Sequence, residues 1–162
     1  MLIPTTAPVR AAAAAALLLA GVSSAVAEST EARRERGAAV IMKLNDGVPQ
    51  QNLEQMRQEF PFLADATEAY ALGDVWSRPG LDDRTRQLAA VAAFAATGQT
   101  AIMQVHAGYA LNIGVSEEEL KEIIYLITVP AGFSRAIAAS QSLSEVLAER
   151  RSNPPAREGT TP

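Results

Sequence analysis

The sequence predicts an all-α protein. Three observations carry that expectation: from about residue 31 onward apolar residues recur at intervals of three and four, helix-starting residues and glycine terminators punctuate those stretches, and no segment alternates as a half-buried strand would.

The first residues read as an export signal ahead of the fold. Arg10 precedes the apolar run AAAAAALLLAGV, and SSAVA then sets Ala25 and Ala27 in the A-x-A pattern of a signal-peptidase site. Cleavage after Ala27 is expected, because this run falls short of the roughly 20 apolar residues that cross a hydrocarbon core. The expected address is the periplasm or the medium. Removal of the first 27 of 162 residues leaves 135, enough for one domain.

A first helix is expected from about Glu31 to Leu44, broken by the turn residues of NDGVP. A second, QQNLEQMRQEF, ends at Phe60, since a residue before proline disfavours the α region. Pro61 is tolerated at the start of a third, PFLADATEAYALGDVW, which the loop Ser77 to Gly80 closes. In DDRTRQLAAVAAFAATG, Asp82 caps the first amides and Gly98 sits where a left-handed terminator belongs. The alanines at 89, 90, 92, 93, 95 and 96 imply close helix approach.

The next helix, Gln99 to Ile113, places Ile102, Val105, His106, Tyr109 and Ile113 on one face. Gly114 ends it, and Ser116 with Glu119 forms an S-x-x-E capping box for another, so an antiparallel hairpin is expected. Leu120, Ile123, Ile124 and Ile127 make the buried stripe of that second arm, which Pro130 and Gly132 stop or kink. A last helix spans about Phe133 to Arg150, and the tail SNPPAREGTTP reads as disordered.

The chain carries 14 Lys and Arg against 18 Asp and Glu, and loss of Arg10 with the signal moves the net charge from −4 to −5. An acidic chain without a basic patch is not expected to bind nucleic acid or, once the signal is gone, an anionic membrane. There is no cysteine, which excludes thiolate nucleophiles and redox pairs within this chain. A lone histidine without cysteine is also a poor transition-metal site, and no metal or cofactor is implied.

His106 is the one histidine, and it lies in an apolar stripe. Two readings stay open: a hydrogen-bonded core residue, or a proton-transfer group. Glu117, Glu118 and Glu119 read as first-turn acids that offset the helix dipole rather than as an acid/base cluster. Arg78, Arg84 and Arg86 suit an anionic substrate or, equally, a solvated helix end paired with Asp82 and Asp83. Trp76 and Tyr109 suit a pocket for a planar ligand or a plain core.

The stretch from Leu72 to Leu147 resembles the carboxymuconolactone decarboxylase family, which includes the AhpD-type alkylhydroperoxidases. Its markers come in the family's order: V-W-S-R-P-G-L, R-x-R opening a helix, G-Q-T, a histidine, A-L-N-x-G-V-S-x-E-E, and A-G-F. The resemblance implies an AhpD-like helical bundle that assembles as a homotrimer or homohexamer, with pockets lined by the histidine helix and the hairpin. The chain is thus expected to divide into a signal (1–27), N-terminal helices (28–71), a domain like that family's (72–150) and a tail (151–162).

The peroxidase branch of that family carries C-x-x-C before the histidine, and those two positions are here Gln99 and Ile102. Disulfide-based peroxide reduction is therefore unavailable. The decarboxylase branch lacks the cysteines and keeps the histidine, which matches His106; it converts carboxymuconolactone to an enol-lactone. The resemblance thus implies a cofactor-free lyase acting on a small carboxylated lactone or related cyclic acid. His106 would deliver the proton, and Trp76, Arg78, Arg84, Arg86, Gln99 and Tyr109 would bind the substrate. The alternative is an exported oligomeric binding or scaffold protein that keeps the fold without the reaction. Three features depart from the family: Gln87 stands where many members have glutamate, Pro130 and Ser134 replace the outer residues of Y-A-G-[FW]-P, and the signal directs outward a reaction that relatives run inside the cell.

Overall fold

Residues 28–153, described by a computed structural model, fold as helices joined by short turns. The expected signal and the end of the expected tail lie outside these described residues. Ser29 accepts from the Ala32 amide at 3.1 Å and starts α1, Thr30–Leu44. The Asn45 side chain then donates to the Val48 carbonyl at 2.8 Å and folds the chain back into α2, Gln51–Glu59.

Pro61 opens α3, Pro61–Ala66, as its missing amide allows. The expected continuation to Trp76 is helical, but from Thr67 to Trp76 it winds as a π-helix. Tertiary contact supplies the physical reason. This segment packs along α1, and the Gly73 carbonyl accepts from Arg36 Nε at 2.6 Å instead of serving the helix alone. Arginines pin the same segment from two helices: Arg33 of α1 donates to both oxygens of Asp74 at 2.9 Å, and Arg57 of α2 reaches the buried Glu68 carboxylate at 2.5 Å.

After the loop, the Asp82 side chain accepts from the Thr85 amide at 2.6 Å and α4 runs Asp83–Thr97 to Gly98, whose φ of 76° is the expected left-handed stop. α5 is Thr100–Asn112 and packs closely against α4. Gly114, at φ 89°, turns the chain, and the Ser116–Glu119 capping box starts α6, Glu117–Leu126. Both halves of the box form, with Glu119 accepting from the Ser116 amide at 3.0 Å. α6 does not fold back along α5, however. It makes its main contacts with α4 and α8, and Val115 of the turn is buried in the same core. Of its two neighbours along the chain, α5 therefore packs against α4 rather than α6.

A short α7, Thr128–Ala131, ends at Gly132, and α8 spans Phe133–Ser152. The main core joins Val91, Met103, Leu120, Ile124, Leu143 and Leu147 from α4, α5, α6 and α8. Ala95 is fully buried and Ala92 and Ala96 pack on that core, whereas Ala89 and Ala93 face outward. A second, smaller cluster of Ile41, Leu53 and Ala64 lies between the N-terminal helices. Among the described residues there is no strand, and no helix is long and apolar enough to cross a membrane.

Candidate functional site

Three elements converge on His106. α4 contributes Gln87 and Phe94, which are seven residues apart and so share a face; α5 contributes His106 and Tyr109; the π-helical segment contributes Trp76. The imidazole stacks between two rings, with its centroid 5.3 Å from that of Trp76 and 5.1 Å from that of Phe94. Tyr109 meets it edge-on at 6.0 Å. The ring is thus held on its faces by hydrocarbon and on one edge by a single polar contact, Nδ1 to Gln87 Oε1 at 2.8 Å.

Burial sets the charge of this group. Desolvation disfavours the imidazolium and pushes the His106 pKa from 6.5 down to about 4, so the ring is neutral at pH 7. Burial also raises the Tyr109 phenol, which stays protonated. Gln87 is fully buried and uncharged, so it adds no anion to draw a proton onto the histidine.

His106 and Tyr109 open onto a cavity of about 240 Å³. Its apolar walls come from Ile41, Leu53, Met56, Leu72, Ile102 and Val105, while Gln50, Asn52 and Thr67 supply polar groups. Ile41, Leu53 and Met56 belong to α1 and α2, so the N-terminal helices roof the site that α5 floors.

Of the residues singled out from the sequence, Trp76 and Tyr109 lie against His106. The arginines lie elsewhere. Arg84 forms an ion pair with Glu119, and Arg86 donates to the backbone carbonyls of Arg78 and, at 3.2 Å, Leu81. Arg78 borders a separate concavity with Lys43 and Asp83, and Trp76 borders it too. Gln99 is exposed and donates to Thr97 Oγ1 at 3.2 Å. Among the described residues, no three His, Cys, Asp or Glu side chains converge as a metal site would require. The structure adds Phe94, the contact of Gln87 with His106, and the roof residues. Only Phe94 had a legible signal, its helical register with Gln87.

Residues 61–145 match the carboxymuconolactone decarboxylase family. The chain is also similar to a 4-carboxymuconolactone decarboxylase of Acinetobacter baylyi, 36% identical over 97 residues that span 59% of this chain and 69% of that protein. The family match includes Trp76, Gln87, Phe94, His106 and Tyr109, but it begins after the α1 and α2 residues that roof the cavity. The relative's name supports an activity of the carboxy-lyase kind. On both comparisons, the chain belongs to the carboxymuconolactone decarboxylase family.

Proposed function

We propose that this protein is a cofactor-free carboxy-lyase acting on a small carboxylated lactone or related cyclic acid, with His106 as the proton donor. One observation carries the reading most directly: the only imidazole of the chain is fixed between Trp76 and Phe94 and lines an apolar cavity of about 240 Å³. In the proposed reaction the bond from the ring carbon to its carboxylate breaks and carbon dioxide leaves. The electron pair stays on the ring and spreads into the lactone carbonyl, and a proton from His106 then restores a C–H bond. Solvent returns that proton to the imidazole.

The apolar walls favour this step. A localised carboxylate loses its solvation on entry, whereas the departing carbon dioxide is neutral and the remaining charge is dispersed. The same negative charge, placed beside His106, favours the imidazolium and so raises its pKa in the complex. Substrate binding therefore readies its own donor. With none of the three arginines lining the cavity, Gln50, Asn52, Thr67 and Tyr109 are the polar groups that orient the substrate's oxygens.

The test is turnover of 4-carboxymuconolactone by the protein, followed by loss of ultraviolet absorbance, alongside His106→Gln. We expect the variant to lose at least 100-fold in kcat, within the range for removing a general acid. Equal rates in the two proteins would overturn the role of His106, and no turnover in either would overturn the substrate class. Export by residues 1–27 and assembly as a trimer or hexamer belong to the same reading. Tyr125, Leu126, Val129 and Phe133, exposed between the end of α6 and the start of α8, support assembly, and light scattering at micromolar concentration tests it.

A further inference from the structure

The contact between Gln87 and His106 leaves one buried group unexplained. With Oε1 facing Nδ1, the Gln87 amide nitrogen Nε2 is enclosed and has no hydrogen-bond partner. A buried donor without an acceptor is costly, and is rarer in proteins than an under-used carbonyl oxygen. A carboxamide turned by half a rotation about its last bond exchanges oxygen for nitrogen with almost no change of shape. In that orientation Nε2 donates to an unprotonated Nδ1, and the oxygen becomes the group with spare capacity.

A neutral imidazole carries one proton, so the partner at Nδ1 decides where that proton sits. An acceptor there draws it to Nδ1 and leaves Nε2 a bare lone pair. A donor there drives it to Nε2. Among the described residues Nε2 has no hydrogen-bond partner, so it is the nitrogen left for a ligand in the cavity.

We infer that Gln87 is a positioning residue that holds neutral His106 as the Nε2–H tautomer, so that the ring presents a hydrogen-bond donor to the cavity. When His106 gains a second proton, Nδ1–H needs an acceptor, and the same amide supplies one by turning Oε1 toward it. Glutamine thus serves both charge states, and Nε2–H faces the ligand in each. A glutamate at this position can only accept. It would pull the proton of the neutral ring to Nδ1, turn a lone pair toward an anionic ligand, and stabilise the imidazolium. The catalytic meaning of this arrangement rests on the lyase reading above, but the tautomer itself does not.

Because the chain has a single histidine, nitrogen NMR of protein labelled with ¹⁵N-histidine reports this ring alone. At pH 7, where the neutral form dominates, we expect the protonated-type shift on Nε2 and the lone-pair-type shift on Nδ1. The reverse assignment in the wild-type protein would overturn the inference without any variant. In Gln87→Glu we expect the proton to move to Nδ1 and the pKa to rise; retention of the Nε2–H tautomer there would overturn the role of Gln87. A wild-type spectrum as expected supports the inference even if no lactone is turned over, a result that would count only against the proposed reaction.

Discussion

Gly37 on α1 and Gly73 on the π-helical segment mark one crossing point: a Cβ added to Gly37 would lie 2.1 Å from the Glu68 carbonyl oxygen, and one added to Gly73 would lie 2.1 Å from that of Arg33. Both obstacles are backbone atoms, so neither can swing aside as a side chain could. The crossing also places Ile41 and Leu72, one from each element, in the wall of the His106 cavity.

Gly37→Ala or Gly73→Ala should therefore lower stability by about 1–3 kcal/mol, the usual cost of forcing an extra carbon into a close-packed contact. Thermal melts of the two variants would check this, with Gly80→Ala as the control, since a Cβ there meets nothing within 4 Å. Melting temperatures equal to the control would show that the two elements can separate at no cost.

The burial of His106 predicts an acid-sensitive contribution to stability. The folded-state pKa of about 4 lies below the ordinary 6.5, so between those values the unfolded chain binds a proton that the folded protein refuses. The contribution is whole above pH 6.5, shrinks as pH falls, and is lost once pH passes the folded value; its size is on the order of 3 kcal/mol. Urea unfolding of wild type and His106→Gln at pH 7 and pH 4.5 isolates the effect, because the carboxylates titrate in both proteins. The wild type should lose more stability than the variant over that interval, and parallel losses would refute the assignment.

Helix α5 and the start of α6 offer two opposite single-residue tests. Gly108 lies inside α5 with open space where a Cβ would go, so Gly108→Ala should stabilise by about 0.5–1 kcal/mol through helix propensity alone. Ser116 caps α6 by accepting from the Glu119 amide at 3.3 Å, and Ser116→Ala should cost about 1 kcal/mol. Denaturant midpoints of opposite sign are the expected result. A neutral Ser116 variant would mean that Glu119 alone satisfies the first turn.

These two positions also show how much of the molecule was legible in the sequence. Local rules sufficed wherever the cause was local: the Asp82 and Ser116 caps, the Gly98 and Gly114 stops, and the α5 face that joins His106 to Tyr109 all depend on residues a few places apart. What stayed hidden depends on partners from distant elements. The π winding from Thr67 accompanies packing on α1, and α6 lies against α4 and α8 rather than along its sequence neighbour α5. The same holds within the site. Arg84 is free to hold an anion when read along its own helix, but Glu119 occupies it from 35 residues away, and Gln87 gains its meaning from a ring 19 residues on.

The pH dependence of turnover should separate free protein from complex. The pKa of a catalytic acid in the free enzyme governs kcat/KM, and its pKa in the complex governs kcat. If the imidazolium is the donor, kcat/KM should decline tenfold per pH unit above about 4, since each unit removes nine-tenths of the protonated free form. The limb of kcat should lie at higher pH, because the bound carboxylate holds the proton on His106. Measuring both parameters from pH 4 to 8 with a substrate whose carboxyl groups are already ionised decides the point. Superimposable limbs would mean that the substrate's charge does not reach His106, whereas a kcat/KM without a decline above about 4 would move the donor elsewhere in the cavity, with Tyr109 as the next group in contact with the ring.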